Sequence, residues 1–251
     1  MGLLPDLSVQ LYSVRTPLSA DFAGTLARLR AIGFTRVEPF AMLDHVAELR
    51  AGLAANGFTA PTTHQSLADG NLDEIFATAA ELGIGTVIHP FTPPDEWLTR
   101  SDVERVADVL SAAAEVSARH GLRVAYHNHD WEARLELDGR SSLEVLVDLV
   151  DPSVVLEVDT YWAAVGGQDV PALLRRLGDR VIALHLKDGP LTGVKEDQLP
   201  LGGGDLPAAQ IISATAALEV PVIEFDLYAG DIFDGVAAAY AYAVGPLGFP
   251  R

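Results

Sequence analysis

No cysteine occurs among the 251 residues of this chain. That excludes disulfides and thiolate metal sites, so any bound metal has to be held by imidazole, carboxylate or carbonyl donors. Long apolar runs are missing as well. Hydrophobic residues make up 49% of the chain, yet charged residues interrupt each run well before the roughly 20 residues that a membrane-spanning helix needs. Basic residues are scarce: 17 Lys and Arg stand against 35 Asp and Glu, for a formal net charge of -18. A field of that sign repels nucleic-acid phosphates and suits a metal cation and a neutral sugar, and a phosphorylated substrate would need a local basic patch. The opening MGLLPDLSVQ has neither the basic start nor the apolar core of a signal peptide. The expectation is a soluble, cytoplasmic protein with no nucleic-acid or membrane partner. No Ser/Gly linker or compositional break divides the chain, so a single domain over 1–251 is expected.

What the chain has is a repeated alternation. Around Gly33, Gly57, Gly83, Gly121 and Gly178, an Ala/Leu-rich helical pattern runs into the glycine and then into a β-branched or aromatic segment. A glycine placed there suits the left-handed residue that closes a helix. Asn71 with Glu74, Ser101 with Glu104 and Ser141 with Glu144 have the spacing of capping boxes. The pattern predicts strands near 7–13, 35–40, 58–64, 85–90, 122–128, 154–159, 181–187 and 220–226. Helices are predicted near 20–32, 42–55, 71–82, 101–119, 141–149, 169–177, 206–218 and 231–243. Such alternation demands a parallel sheet, and eight units close into an α/β (β/α)8 TIM barrel, with an open doubly wound sheet as the alternative. The LGGGD segment (Leu201–Asp205) lacks the lysine of a phosphate-binding loop and reads as a plain turn, or as a loop that closes over a substrate.

In a TIM barrel the C-terminal strand ends surround one mouth, where catalysis takes place. Five of the seven histidines (His64, His89, His127, His129 and His185) fall at such ends, together with Glu38, Asp159 and Glu224. His45 and His120 lie in helical patterns and are expected at the surface. The segments VAYHNHDWE, VLEVDTYW, VIALHLKD and VIEFD share one design, an aliphatic run opening into polar groups. Alternation along a strand puts His127 and His129 on one face with Asn128 on the other, and gives Glu157 and Asp159 a common parity. His185, Lys187 and Glu224 have corresponding positions on strands seven and eight. Singly, Glu38 and His64 read as packing residues. The combination His127, Asp159, His185 and Glu224 reads as a metal site, because four such groups converging without a cation are costly to desolvate. Imidazole with carboxylate suits zinc, manganese, cobalt or another divalent first-row ion. Tyr161 and Trp162 either fill the core or wall the site, and Lys187 either enters the mouth or pairs with Asp188 in solvent.

These segments, with SVQLYSVR at the first strand, resemble the xylose isomerase-like TIM barrel superfamily, specifically its sugar phosphate isomerase/epimerase branch, and the similarity runs over nearly the whole chain. The resemblance implies one divalent metal, with manganese favoured over zinc, cobalt or iron, on His127, Asp159, His185 and Glu224. It implies proton abstraction alpha to the carbonyl of a keto-sugar or sugar phosphate, through a metal-stabilised enediolate. Glu224 would be the base, and His129, Lys187 or Glu157 would supply the second proton transfer. Glu38, His64, His89, Asn128, Trp162 and Lys187 would contact substrate. Many epimerases of this branch have glutamate at the strand-five position. Its replacement by His127 leaves room for dehydratase or lyase chemistry on an inosose or 3-keto-sugar, as in inosose dehydratase-like relatives. Barrels of the branch often form dimers or tetramers, so a homo-oligomer is compatible with the chain. Two further alternatives are an apurinic endonuclease, which needs a three-zinc cluster and has a histidine where Trp162 stands, and a sugar-binding barrel without catalysis.

Overall fold

A computed structural model describes residues 4–251. Among them, eight parallel strands form one barrel: β1 (Ser8–Gln10), β2 (Arg36–Glu38), β3 (Thr62–His64), β4 (Thr86–His89), β5 (Arg123–His127), β6 (Val155–Asp159), β7 (Val181–Leu186) and β8 (Val220–Ile223). Their order around the sheet is β2-β1-β8-β7-β6-β5-β4-β3. The ring closes between β2 and β3 through isolated bridges, Arg36 with Thr59 and Phe40 with His64. The His64 amide donates to the Pro39 carbonyl at 2.8 Å across that seam. The expected (β/α)8 barrel is what forms, and the open sheet is excluded. No helix among the described residues is long and apolar enough to cross a membrane.

The helices lie where the glycine punctuation puts them, with three local differences. The first predicted helix is two, Arg15–Ala20 and Phe22–Ile32, because Asp21 is extended at φ -152° and caps the second by accepting from the Gly24 amide at 2.9 Å. The long helix Arg100–Arg119 starts at a capping box of Thr99 with Asp102, two residues before the predicted Ser101. The predicted Ser141–Glu144 box does form. Two short helices, Asp130–Arg134 and Thr160–Val165, follow β5 and β6 directly. Each spans under two turns, too short for helical periodicity to register.

Aliphatic and aromatic side chains such as Leu26, Phe34, Val37, Leu110, Val124 and Leu146 fill the layer between barrel and helices. Inside the barrel a polar layer accompanies a small aliphatic cluster of Ala183, Val220 and Val222. Gln10, Glu38, Thr62, His64, Glu157 and His185 are all buried there. Gln10 Nε2 donates to Glu38 Oε1 at 2.8 Å, the Thr62 hydroxyl donates to Glu38 Oε2, and His185 Nε2 lies 2.8 Å from Glu38 Oε1.

The LGGGD segment is a tied turn. The Asp188 carboxylate accepts from the amides of Gly189, Gly202 and Leu206 at 2.9, 2.9 and 3.1 Å. A Cβ on Gly204 would lie 2.2 Å from the Gly189 nitrogen, so only glycine lets the two strands of the loop approach this closely. Asp188 is buried in this role, which removes the solvated Lys187–Asp188 pair from consideration.

Candidate active site

Four neighbouring strands carry the site. Adjacent ladders put His127 beside Glu157, Asp159 beside His185, and His185 beside Val222, two residues before Glu224. The β6–β7 register shifts between Leu156 and Glu157, an irregularity of the kind that re-aims side chains at barrel rims. Asn128 clamps the ends of β5 and β6. Its Oδ1 accepts from the Asp159 amide at 3.0 Å, and its Nδ2 donates to the carbonyls of His129 at 3.1 Å and Asp159 at 3.4 Å. Asp159 also caps the helix Thr160–Val165, with Oδ1 accepting from the Trp162 amide at 2.9 Å, which fixes the carboxylate and leaves Oδ2 facing the site.

Donor atoms of Asp159, His185 and Glu224 lie within 4.8 Å of one another, all buried, and His185 Nδ1 is 3.2 Å from Glu224 Oε2. These groups fit a divalent ion: the donors are mixed imidazole and carboxylate, they converge, and Glu224 carries the cluster to the wall of a cavity, with Asp159 and His185 fully buried behind it. The fourth expected ligand, His127, stands at the edge of this group, with Nε2 3.9 Å from Asp159 Oδ2 and Nδ1 3.0 Å from Glu157 Oε2. A second cluster of His64, His127, Glu157 and His185 lies beneath. Glu157 Oε2 meets His64 Nε2 at 2.6 Å, His127 Nδ1 at 3.0 Å and His185 Nε2 at 3.0 Å, and its Oε1 is buried without a partner.

Lys187 dominates the electrostatics. Its Nζ is 2.8 Å from Asp159 Oδ2 and 2.6 Å from Asp226 Oδ2, and also touches Glu224 Oε2. Burial works against its charge, but Asp159, Asp226 and Glu224 together hold its pKa well above the ordinary lysine value. Burial likewise pushes Glu224 upward, and Lys187 outweighs it, so Glu224 remains below the usual glutamate value. Asp159 is pushed up to about 6, burial being the main cause and Lys187 opposing it. Burial, with the neighbouring His127 and Lys187, keeps His129 well below the ordinary histidine value. His127 falls to about 4 by burial and the nearby His185.

A cavity of about 660 Å³ opens above these groups and is lined by His64, His127, His129, Trp162, Lys187 and Glu224 among the residues expected from the sequence. Trp162 thus walls the site, while Tyr161 is fully buried behind it. Glu38, His89 and Asn128, expected to contact substrate, are not among the lining residues. Glu38 is held beneath by Gln10 and Thr62, His89 Nδ1 accepts from the Leu67 amide at 3.0 Å, and Asn128 is the β5–β6 clamp. Glu157, expected as a proton donor or acceptor, is also below the cavity, where it braces three imidazoles. His45 and His120 are half-buried, with His120 Nε2 3.0 Å from Asp73.

Two buried carboxylates escape the sequence reading. Asp226 lines the cavity, and its Oδ2 accepts from Trp162 Nε1 at 3.0 Å, Gln198 Nε2 at 2.8 Å and Lys187. Its signal is the two-residue spacing from Glu224, the same spacing that selects Lys187 after His185. Glu132 is fully buried and accepts from Tyr126 Oη at 2.7 Å and from the His129 amide at 2.8 Å. Burial pushes its pKa up to about 8. Nothing in the sequence distinguishes it from an ordinary first-turn helix carboxylate.

A polar constellation at the C-terminal mouth of a parallel barrel defines a class, and comparison with known proteins agrees. The family model described as xylose isomerase-like TIM barrel matches residues 26–221, and the chain belongs to that family. Its relatives are more particular. An inosose dehydratase of Geobacillus kaustophilus (strain HTA426) is 34% identical over 131 residues, a match that takes in 50% of this chain and 40% of that relative. A sugar phosphate isomerase/epimerase structure from Parabacteroides distasonis ATCC 8503 superposes with a TM-score of 0.79 at 23% identity, covering 96% of this chain and 94% of the other. A xylose isomerase-like TIM barrel protein from Mycobacterium smegmatis in complex with magnesium gives a TM-score of 0.73 at 14% identity, over 99% of both chains. The two structures show the shared fold.

Proposed function

We propose that this chain is a divalent-metal-dependent isomerase or epimerase that moves a proton alpha to the carbonyl of a keto-sugar. The observation that carries the reading is the convergence of Asp159, His185 and Glu224 donors within 4.8 Å, directly behind a cavity wall to which Glu224 and Lys187 are presented. Those three residues, with His127 alongside, would hold the ion, and manganese is the favoured choice over zinc, cobalt or iron. A bound divalent ion would supply Lewis-acid stabilisation of the negative charge that develops on substrate oxygen.

The chain's own groups divide the proton work. Glu224, held ionised by Lys187 and facing the cavity, takes the proton from carbon. Lys187, held protonated, donates to oxygen. His129, kept neutral and lining the cavity, takes the hydroxyl proton of the enediol while Glu224 returns its own proton to the neighbouring carbon. Trp162 offers its ring to the C–H face of the sugar. Asn128 and Glu157 act by position, fixing Asp159 and the three imidazoles respectively.

A second reading, dehydration of an inosose or 3-keto-sugar, rests on the protonated Lys187 beside an ionised Glu224 and on the inosose dehydratase relative. Glu224 takes the alpha proton, the C–H electron pair forms the C=C bond, and the C–O bond to the neighbouring hydroxyl breaks as Lys187 protonates it to water. The test is solvent deuterium incorporation into inososes and 3-keto-hexoses by the protein loaded with manganese, zinc, cobalt or iron. Metal-dependent exchange at the alpha carbon is expected, with release of an unsaturated product marking dehydration. Absence of exchange with every sugar and metal would remove the reading.

A further inference from the structure

The cavity has two halves of different chemistry. Its inner half presents Glu224, Lys187, Asp226, His127 and Trp162; its outer half presents Tyr12, Phe40, Phe91 and Trp131. The four aromatics come from the segments that follow β1, β2, β4 and β5, and in the ring of eight strands β1 and β5 are diametrically opposed. Two aromatic groups therefore stand across the mouth from each other. Tyr12 meets Phe40 edge-on, with centroids 5.3 Å apart at 89°. Across from them Phe91 stands edge-on to both His129 and Trp131 at 5.5 Å, and those two rings are parallel, 4.5 Å apart at 3°.

The outer half leaves apolar surface in water. Phe91 is 48% and Tyr12 38% exposed, in a protein with ample core to hold them. A volume of about 660 Å³ exceeds what one six-carbon ring fills and falls within the roughly 300–1,000 Å³ of small-molecule pockets, leaving room for a second ring. Nor is the wall prepared for a phosphate. No arginine lines the cavity, and both lining lysines are committed to Asp226, Lys187 at 2.6 Å and Lys195 at 3.4 Å.

We propose that the outer half is a subsite for a planar apolar ring, so that the substrate is a sugar joined to an aromatic aglycone and carries no phosphate. This deepens the keto-sugar reading and rests on it for the inner half. Aromatic faces and edges on two sides favour a flat ring between them.

Calorimetry on the manganese-loaded protein tests the subsite without turnover, using phenyl β-D-glucopyranoside, methyl β-D-glucopyranoside and glucose 6-phosphate as probes. The phenyl glucoside is expected to bind tighter than the methyl by on the order of tenfold, and the phosphate no tighter than the methyl. Phe91→Ala and Tyr12→Ala, both at exposed positions, are each expected to shrink the phenyl-to-methyl ratio severalfold. Equal binding of phenyl and methyl glucosides, a ratio untouched by both substitutions, or tighter binding of the phosphate would overturn the subsite while leaving the sugar site standing. Failure of all three probes to bind would overturn the subsite, while the keto-sugar reading stands or falls on the deuterium-exchange test alone.

Discussion

Lys187 Nζ stands 2.6 Å from Asp226 Oδ2, and both side chains are buried. The same oxygen accepts from the Trp162 indole and the Gln198 amide, so one carboxylate fixes the ammonium, the aromatic wall and the loop after β7. Asp226 is thereby a positioning residue for Lys187 and Trp162.

Asp226→Asn is expected to loosen all three at once. Breaking one partner out of a buried ion pair is strongly destabilising, but Lys187 keeps Asp159 and Glu224, so the loss should be at the low end, about 2–3 kcal/mol or several degrees in Tm. Turnover should fall by about tenfold or more. Thermal melts and steady-state kinetics check both, and an unchanged melt with an unchanged rate would remove Asp226 from this role.

Glu224→Gln keeps the shape of the side chain and removes its basicity. Exchange at the alpha carbon is expected to drop by about 100-fold or more, with the circular dichroism spectrum of the wild type retained. Retained exchange would take the base role away from Glu224.

His185→Ala addresses the ion itself. Elemental analysis of the wild type after reconstitution is expected to find about one equivalent of divalent metal, and the variant should lose affinity at least 10- to 100-fold, since both nitrogens of His185 are engaged in the cluster. Three zincs per chain would instead favour the endonuclease alternative, and no metal in the reconstituted wild type would sink the mechanism.

Glu132 gives a pH signature. Its pKa is about 8 folded, against 4.5 as the ordinary value, so the folded state holds a proton that the unfolded state gives up. The stability this contributes is present in full below pH 4.5 and is lost as pH rises through about 8. Glu132→Gln mimics the protonated form. Between pH 5.5 and 8.5, approximately, the melting temperature of the wild type should therefore fall by several degrees relative to the variant. Parallel profiles would mean that Glu132 is ionised in the folded protein.

The barrel is legible in the sequence because each unit carries its own local signals, a helix-closing glycine, a cap and a β-branched run, and none needs a distant partner to be recognised. Strand alternation also reaches Asp159, His185, Lys187 and Glu224, whose side chains share the inward face. It selects a face but not a depth. Glu38 and Glu157 share that inward face yet lie in a layer below the cavity, and only the staggered register of the closed sheet separates the two levels. Asn128 has the opposite parity and is read correctly as pointing away, but its grip on Asp159 depends on the β5–β6 pairing. Glu132 meets Tyr126 because a single turn of helix doubles the chain back, a contact that no periodicity foretells.

The polar layer inside the barrel limits how such a sequence can drift. Gln10, Glu38, Thr62, Glu157, His64 and His185 are buried and bonded to one another, so an apolar replacement of any one strands a neighbour's charge or hydrogen bond. Viable changes there have to come in matched sets. The aromatic rim has no such bonds to keep and can vary one residue at a time. A lineage built on this barrel can therefore explore new ligands at its mouth while inheriting its floor as a block.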